Sequence, residues 1–216
     1  MFFAYSFFVL PDQLTGFVLN PFLVVFAYLL GSIPVGVILG RLKGVDPRKM
    51  GSGNIGATNV MRAAGKKLGV VTLILDAAKG FLPVVLATVL GVHVYVIALV
   101  GLAAFLGHVF PVFLRFKGGK GVATALGVYL AVSPVTILGA FVVFVIVAAI
   151  WRYVSLASMI GAMAVPIGLY LIGAPWSFVV MAVLITLVVI VRHKDNIARL
   201  VKGTESKLSF SGGSKN

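Results

Sequence analysis

Val122 to Trp151 reads VATALGVYLAVSPVTILGAFVVFVIVAAIW, thirty consecutive residues without a charge. A helix needs about 20 apolar residues to cross a hydrocarbon core, so this stretch belongs in a bilayer. Lys117 and Lys120 precede it and Arg152 follows it, and basic residues at both ends favour the same, cytoplasmic side. The stretch must therefore cross and return, yet two full crossings need about 40 residues. The expectation is a short, tilted or partly penetrating helix over 122–132 and a full one over 134–151. They should break at Ser133-Pro134, because proline removes a helix donor and disfavours helix at the residue before it. Evenly apolar runs of this kind are not barrel strands, and backbone groups in lipid must be satisfied within each segment. The fold class is thus all-α.

The rest of the chain agrees. Of 216 residues, 61% are hydrophobic and 11% charged, with mean hydropathy +1.14; a soluble domain is about 25% charged. Further apolar segments run over 18–41, 68–91, 94–113, 154–172 and 175–192, giving a bundle of about seven transmembrane helices, with six as the alternative count. The connections near 92–93, 133 and 173–174 hold no Lys or Arg, whereas the others hold nearly all of them. The positive-inside rule then sets the N-terminus outside and the C-terminus in the cytoplasm. A net charge of +13 would suggest nucleic acid in a soluble protein. Here it is topological, and no nucleic-acid partner is expected. Residues 1–17 read as an outer-face extension, 18–200 as the transmembrane domain, and 201–216 as a cytoplasmic tail ending in Gly, Ser and Lys. Cysteine is absent, which excludes disulfides and a thiolate nucleophile.

Three cytoplasmic segments carry candidate chemistry. The first, GSGNIGATNVMR (51–62), is a Gly-rich turn whose successive N–H groups can form an anion nest, with donors added by Ser52, Thr58 and Asn59 and a charge by Arg62. It is neither a Walker A loop nor a dinucleotide fingerprint; by itself it is equally a flexible connector. The second, GHVFPVFLRFKGGKG (107–121), sets Lys117 and Lys120 on either side of Gly118 and Gly119, cationic point charges beside exposed backbone donors. Arg115 reads as an anchor. In the third, RHKDNIAR (192–199), His193, Asn196 and Ile197 fall at i, i+3 and i+4 and so share a face, while Arg192, Lys194 and Arg199 read as interfacial anchors.

Within the spans, Asp76 and Lys79 stand three apart and read as a structural ion pair. Tyr153, Ser155 and Ser158 open the sixth helix, where a hydroxyl meets substrate or caps the helix. No Ser-His-Asp ordering is present, and no histidine is followed five residues later by Asp. A site rich in phosphate binders and poor in proton acceptors suggests that the substrate supplies some of the chemistry.

Together, GSGNIGATN with Arg62, GHVFP followed by FKGGKG, and RHKDN closely resemble the three cytoplasmic motifs of the bacterial acyl-phosphate:glycerol-3-phosphate acyltransferases, the PlsY family, over roughly residues 24–200. The extra N-terminal residues and the tail depart from the pattern, and Asp195 stands where the family's third motif has Glu, a carboxylate expected to brace the loop. The resemblance implies transfer of an acyl group from acyl phosphate to the first hydroxyl of glycerol 3-phosphate. The products are lysophosphatidic acid and phosphate, made without acyl-CoA, acyl carrier protein, cofactor or metal at the inner membrane of a bacterium. By motif, Ser52 and Arg62 are essential, with Gly53, Asn54, Gly56, Thr58 and Asn59 shaping a phosphate pocket. Lys120 and the Gly118 to Gly121 turn serve glycerol 3-phosphate, and His193 and Asn196 complete the site with Ser158 and His108. The rivals are a transporter or channel for phosphorylated anions, for which the expected internal repeat is not seen, and a non-enzymatic bundle that binds anionic lipid heads.

Overall fold

A computed structural model describes residues 13–208, with side chains from residue 20. The expectations for residues 1–12 and 209–216 lie outside the described residues. All regular structure among those described is helical: α1 (Gln13–Gly31), α2 (Val35–Arg41), α3 (Ala57–Ala64), α4 (Lys66–Val89), α5 (Val94–Val109), α6 (Val122–Val132), α7 (Pro134–Trp151), α8 (Val154–Leu171), α9 (Trp176–Arg192) and α10 (Lys194–Val201), with single 3-10 turns at Pro47–Lys49 and Val112–Leu114. Among the described residues, five stretches are long and apolar enough to cross a membrane, and a sixth arises if α9 and α10, bent by 56°, count as one. The seventh expected span is α6, whose 11 residues rise only about 16 Å. The break falls where the sequence places it, and the Ser133 side chain caps α7 by accepting from the Thr136 amide.

The first apolar segment is not one helix, as 18–41 had suggested. Pro34 interrupts it, and α1 and α2 leave the Ile33 carbonyl inside the bundle, where the Lys79 ammonium donates to it at 2.8 Å. Lys79 also meets Asp76 Oδ1 at 2.9 Å, with His108 Nδ1 3.5 Å from the same oxygen. All three side chains are buried. The pair therefore neutralises its own charge and gives a second donor to a carbonyl at the helix break that also accepts from the Val35 amide at 3.0 Å.

Helices approach closely where glycine allows it. A Cβ on Gly127 of α6 would overlap the Ala77 carbonyl of α4, and one on Gly80 of α4 would overlap the Thr124 carbonyl of α6. Packing of this sort holds helices together in lipid, where apolar burial gives no advantage over hydrocarbon. Large apolar side chains such as Phe141, Val142, Val145 and Ile146 remain exposed along α7, the face offered to lipid.

Candidate active site

The first motif is a turn folded around one side chain. Asn59, buried in the first turn of α3, donates through Nδ2 to the carbonyls of Pro47 (2.8 Å), Met50 (3.1 Å) and Asn54 (2.8 Å), and its Oδ1 accepts from the Ser52 amide at 2.9 Å. Its donors are thus spent on the loop, so Asn59 shapes the cradle and has none left for a ligand. Gly51 (φ +56) and Gly53 (φ +70) take left-handed conformations, and a Cβ at Gly51 would run into the Asn59 amide oxygen. The Asn54 amide oxygen is likewise taken, accepting from the Gly56 amide at 3.1 Å. The chain then enters α3, whose first amides, without partners inside the helix, give the cradle a positive end. The side chains of Thr58 and Arg62 line the same wall, and Arg62 is exposed and forms no ion pair among the described residues.

The second motif packs rather than cradles at its glycine pair. Side chains at Gly118 and Gly119 would collide with the His108 carbonyl and imidazole respectively, and the Gly119 amide donates to that carbonyl at 3.2 Å. The facing carbonyls of Gly118 and Gly119 accept from Arg192 at 2.7 and 3.2 Å. Arg192, read as an anchor, is therefore a clamp on this loop. Lys117 is exposed and outside the cavity, whereas Lys120 turns inward and its ammonium donates to the Asn196 amide oxygen. Desolvation pushes the Lys120 ammonium down to about 8, despite the opposing charge of Glu205.

The third motif does not run as one helix. It bends at His193, whose Nδ1 lies 2.7 Å from the Val189 carbonyl; that nitrogen must donate, leaving Nε2 as acceptor in the neutral ring. His193 and Asn196 are buried, but Ile197 turns outward, because the bend breaks the shared face expected of a continuous helix. Asp195 is exposed. The bracing carboxylate is Glu205, from the stretch read as tail: it accepts from Asn196 Nδ2 (2.6 Å), Ser155 Oγ (2.7 Å) and Arg199 Nε (2.7 Å). Burial opposes its charge, but these hydrogen bonds prevail and hold its carboxyl below the usual carboxylate range. Residues after α10 reach it by folding back, with Leu208 and Arg152 exchanging backbone and guanidinium hydrogen bonds at 2.6–3.2 Å.

The three motifs converge on one cavity of about 750 Å³ at one end of the bundle. Of the expected residues, Ser52, Asn54, Gly56, Thr58, Asn59, Arg62, His108, Lys120, Gly121, Ser158, His193 and Asn196 line it; Gly53, Lys117, Gly118 and Gly119 do not. Glu205, Ser155, Arg199 and Lys207 line it as well. Glu205 carries a weak signal in the sequence, as a lone acid after Gly203-Thr204 in a basic tail. Among the described residues, no group of three His, Cys, Asp or Glu could hold a metal ion.

The family profile described as glycerol-3-phosphate acyltransferase matches residues 21–203. The chain is similar to the glycerol-3-phosphate acyltransferase of Trichlorobacter lovleyi, 55% identical over 181 residues that cover 84% of this chain and 93% of that one. It is also similar to that of Aquifex aeolicus, 50% identical over 187 residues, 86% and 97% of the two chains. Among solved structures, its fold matches PlsY (YgiH), an integral membrane glycerol 3-phosphate acyltransferase, in the glycerol 3-phosphate form. The TM-score is 0.85, with 49% identity over 88% of this chain and 96% of that one. The lysophosphatidic acid form gives a TM-score of 0.82 at 49% identity, with 88% and 95% covered. With its motifs gathered around one cavity and relatives of this closeness along most of its length, the chain belongs to the glycerol-3-phosphate acyltransferase family.

Proposed function

We propose that this membrane acyltransferase draws its acyl group from an acyl phosphate and passes it to the first hydroxyl of glycerol 3-phosphate, at the cytoplasmic face of a bacterial inner membrane. The observation that carries the donor assignment is the pair of basic regions in one cavity, the cradle with Arg62 and the Lys120–Asn196 pair, where Arg199 offsets the charge of Glu205. Two regions suit two phosphorylated substrates, and the cradle and Arg62 hold the acyl phosphate while Lys120 takes the phosphate of glycerol 3-phosphate.

The hydroxyl oxygen attacks the acyl carbonyl, the carbon–oxygen bond to phosphate breaks, and the hydroxyl proton passes to the leaving phosphate. Ester and inorganic phosphate result, and neither acyl-CoA nor acyl carrier protein is needed. An acyl phosphate is an activated anhydride, so positioning supplies much of the rate, and its own oxygen accepts the proton. Two features favour that acceptor over a protein carboxylate: Asp76 is paired with Lys79, and Glu205 accepts three hydrogen bonds. Ser52, Ser158 and His193 stand around the cavity; the Ser158 hydroxyl donates to the Val154 carbonyl at 2.8 Å, so Ser158 and the His193 Nε2 offer acceptors that orient a substrate hydroxyl, and Ser52 offers a donor.

In this reading the N-terminus lies outside and the C-terminus inside, and α6 completes a seventh, shortened passage. The basic segments that meet at one end of the bundle support it. The test is incubation of purified protein with glycerol 3-phosphate and either palmitoyl phosphate, palmitoyl-CoA or palmitoyl carrier protein. Lysophosphatidic acid and phosphate should form with the first alone. Equal turnover with a thioester would refute the donor assignment.

A further inference from the structure

Beside the polar cavity lies a second, apolar one of about 220 Å³, walled by α4, α6, α7, α8 and α9. The two share Leu73, Val122, Ala123, Phe144 and Ser158, so the apolar slot opens directly into the site. On three helices its lining runs from this mouth to a common depth: Val122 to Tyr129 on α6, Phe144 to Ile137 on α7, and Ser158 to Val165 on α8. Each path is seven residues long, about 10 Å of helix rise.

The far end is shut. Tyr129, Ile137 and Val165 are 3%, 9% and 2% exposed. The side is not: Leu73 and Phe141 on the slot's edge are 42% and 53% exposed and face lipid. One polar atom interrupts the hydrocarbon at the closed end, the Tyr129 hydroxyl, which is buried and has no hydrogen-bond partner among the described residues. An unpartnered hydroxyl is costly in such surroundings, and it makes the floor a poor contact for further methylenes.

We propose that this slot takes the carboxyl-proximal part of the acyl chain and ends at Tyr129, so that the enzyme gauges about the first eight carbons and leaves the remainder to lipid. The proposal rests on the acyl donor assigned above and adds what part of that donor is recognised. Carbon–carbon bonds of about 1.5 Å advance a zigzag chain by about 1.25 Å per carbon, so a path of about 10 Å holds about eight. A longer chain meets the Tyr129 ring and leaves past Phe141. Methylenes beyond that point pass from bilayer to bilayer and gain nothing from the protein.

The consequence is a broken chain-length profile. Against a bilayer reference, kcat/KM should rise with each methylene up to about eight carbons, because the fixed walls of the slot pack more closely than liquid hydrocarbon, and then flatten. The experiment uses full-length protein in nanodiscs and saturated acyl phosphates from C4 to C18, with rates corrected for measured partition into the disc. Tyr129→Ala lengthens the slot by removing its floor and should move the break about three carbons longer. Gly161→Leu narrows it midway, where an added Cβ meets the Ala140 carbonyl and Phe144 only at 3.4 Å, and should move the break shorter. Tyr129→Phe retains the ring and should hold the break in place. Turnover of acyl thioesters but of no acyl phosphate at any length would overturn the donor assignment and this proposal with it. Turnover of acyl phosphates with a profile that climbs unbroken to C16, or a break that neither Tyr129→Ala nor Gly161→Leu moves, would overturn the slot alone.

Discussion

Replacing Glu205 by Gln removes one negative charge and leaves an amide of the same size among Asn196, Ser155 and Arg199. The side chain of Asn196 separates Glu205 from Lys120, donating to one and accepting from the other, and two hydrogen bonds across one amide set charges on the order of 6 Å apart. Coulomb's law gives about 0.7 kcal/mol at that distance in water and about 2.8 kcal/mol at an effective dielectric constant of about 20. These correspond to roughly 0.5 and 2 pH units. Lys120 must be charged to hold a phosphate, and desolvation already brings it down to about 8. Wild-type kcat/KM for glycerol 3-phosphate should therefore fall as pH rises through about 8. The negative charge of Glu205 favours the ammonium, so its loss should move that limb to lower pH, by about one unit. The limb in kcat should lie higher in both proteins, because a bound phosphate restores a counter-charge. The assay is phosphate release from palmitoyl phosphate between pH 6 and 10, with thermal unfolding in detergent as the folding control. A folded Glu205→Gln protein whose limb coincides with wild type would refute the coupling of the tail to Lys120.

Arg62→Lys should lower kcat/KM at least about tenfold, because an ammonium cannot copy a bidentate guanidinium grip. Arg115→Lys, at an exposed turn outside the cavity, should stay within about threefold; equal losses in steady-state assays would contradict the roles assigned. Asp76→Asn should cost about 3–5 kcal/mol of stability by leaving Lys79 buried without its counter-charge, seen as a lower Tm. The folded fraction should still turn over, and a loss beyond about 10⁴-fold would make Asp76 the base. His193→Asn should retain the acid limb of the wild-type pH–rate profile at saturating substrates. If the wild-type acid limb falls where burial has pushed the His193 imidazole, down to about 4, and the variant lacks it, with a loss of about 10²–10⁴-fold, then the imidazole and not the acyl phosphate takes the proton.

Membrane residence, the all-helical class and the break at Ser133-Pro134 were legible in the sequence, because lipid imposes length and polarity rules that act on each segment by itself. The three motifs were legible only together: each alone reads equally as a connector or an anchor, and it is their order along the chain that resembles one family. What each residue does within a motif was not. Asn59 holds the loop and Gly118 and Gly119 admit His108, because space and hydrogen-bond partners come from residues distant in the chain. Arg192 read as an anchor and Glu205 as tail, since the carbonyls and amides that give them work lie 73 and 9 residues away, across a loop and a helix bend. Which segments enter the bilayer, and which stretches gather residue types suited to an anion, are matters of local composition and can be read along the chain. Which of those residues reach the cavity is settled by packing, because it depends on a proline break, a 56° bend and a returning tail that bring separate segments to one end of the bundle.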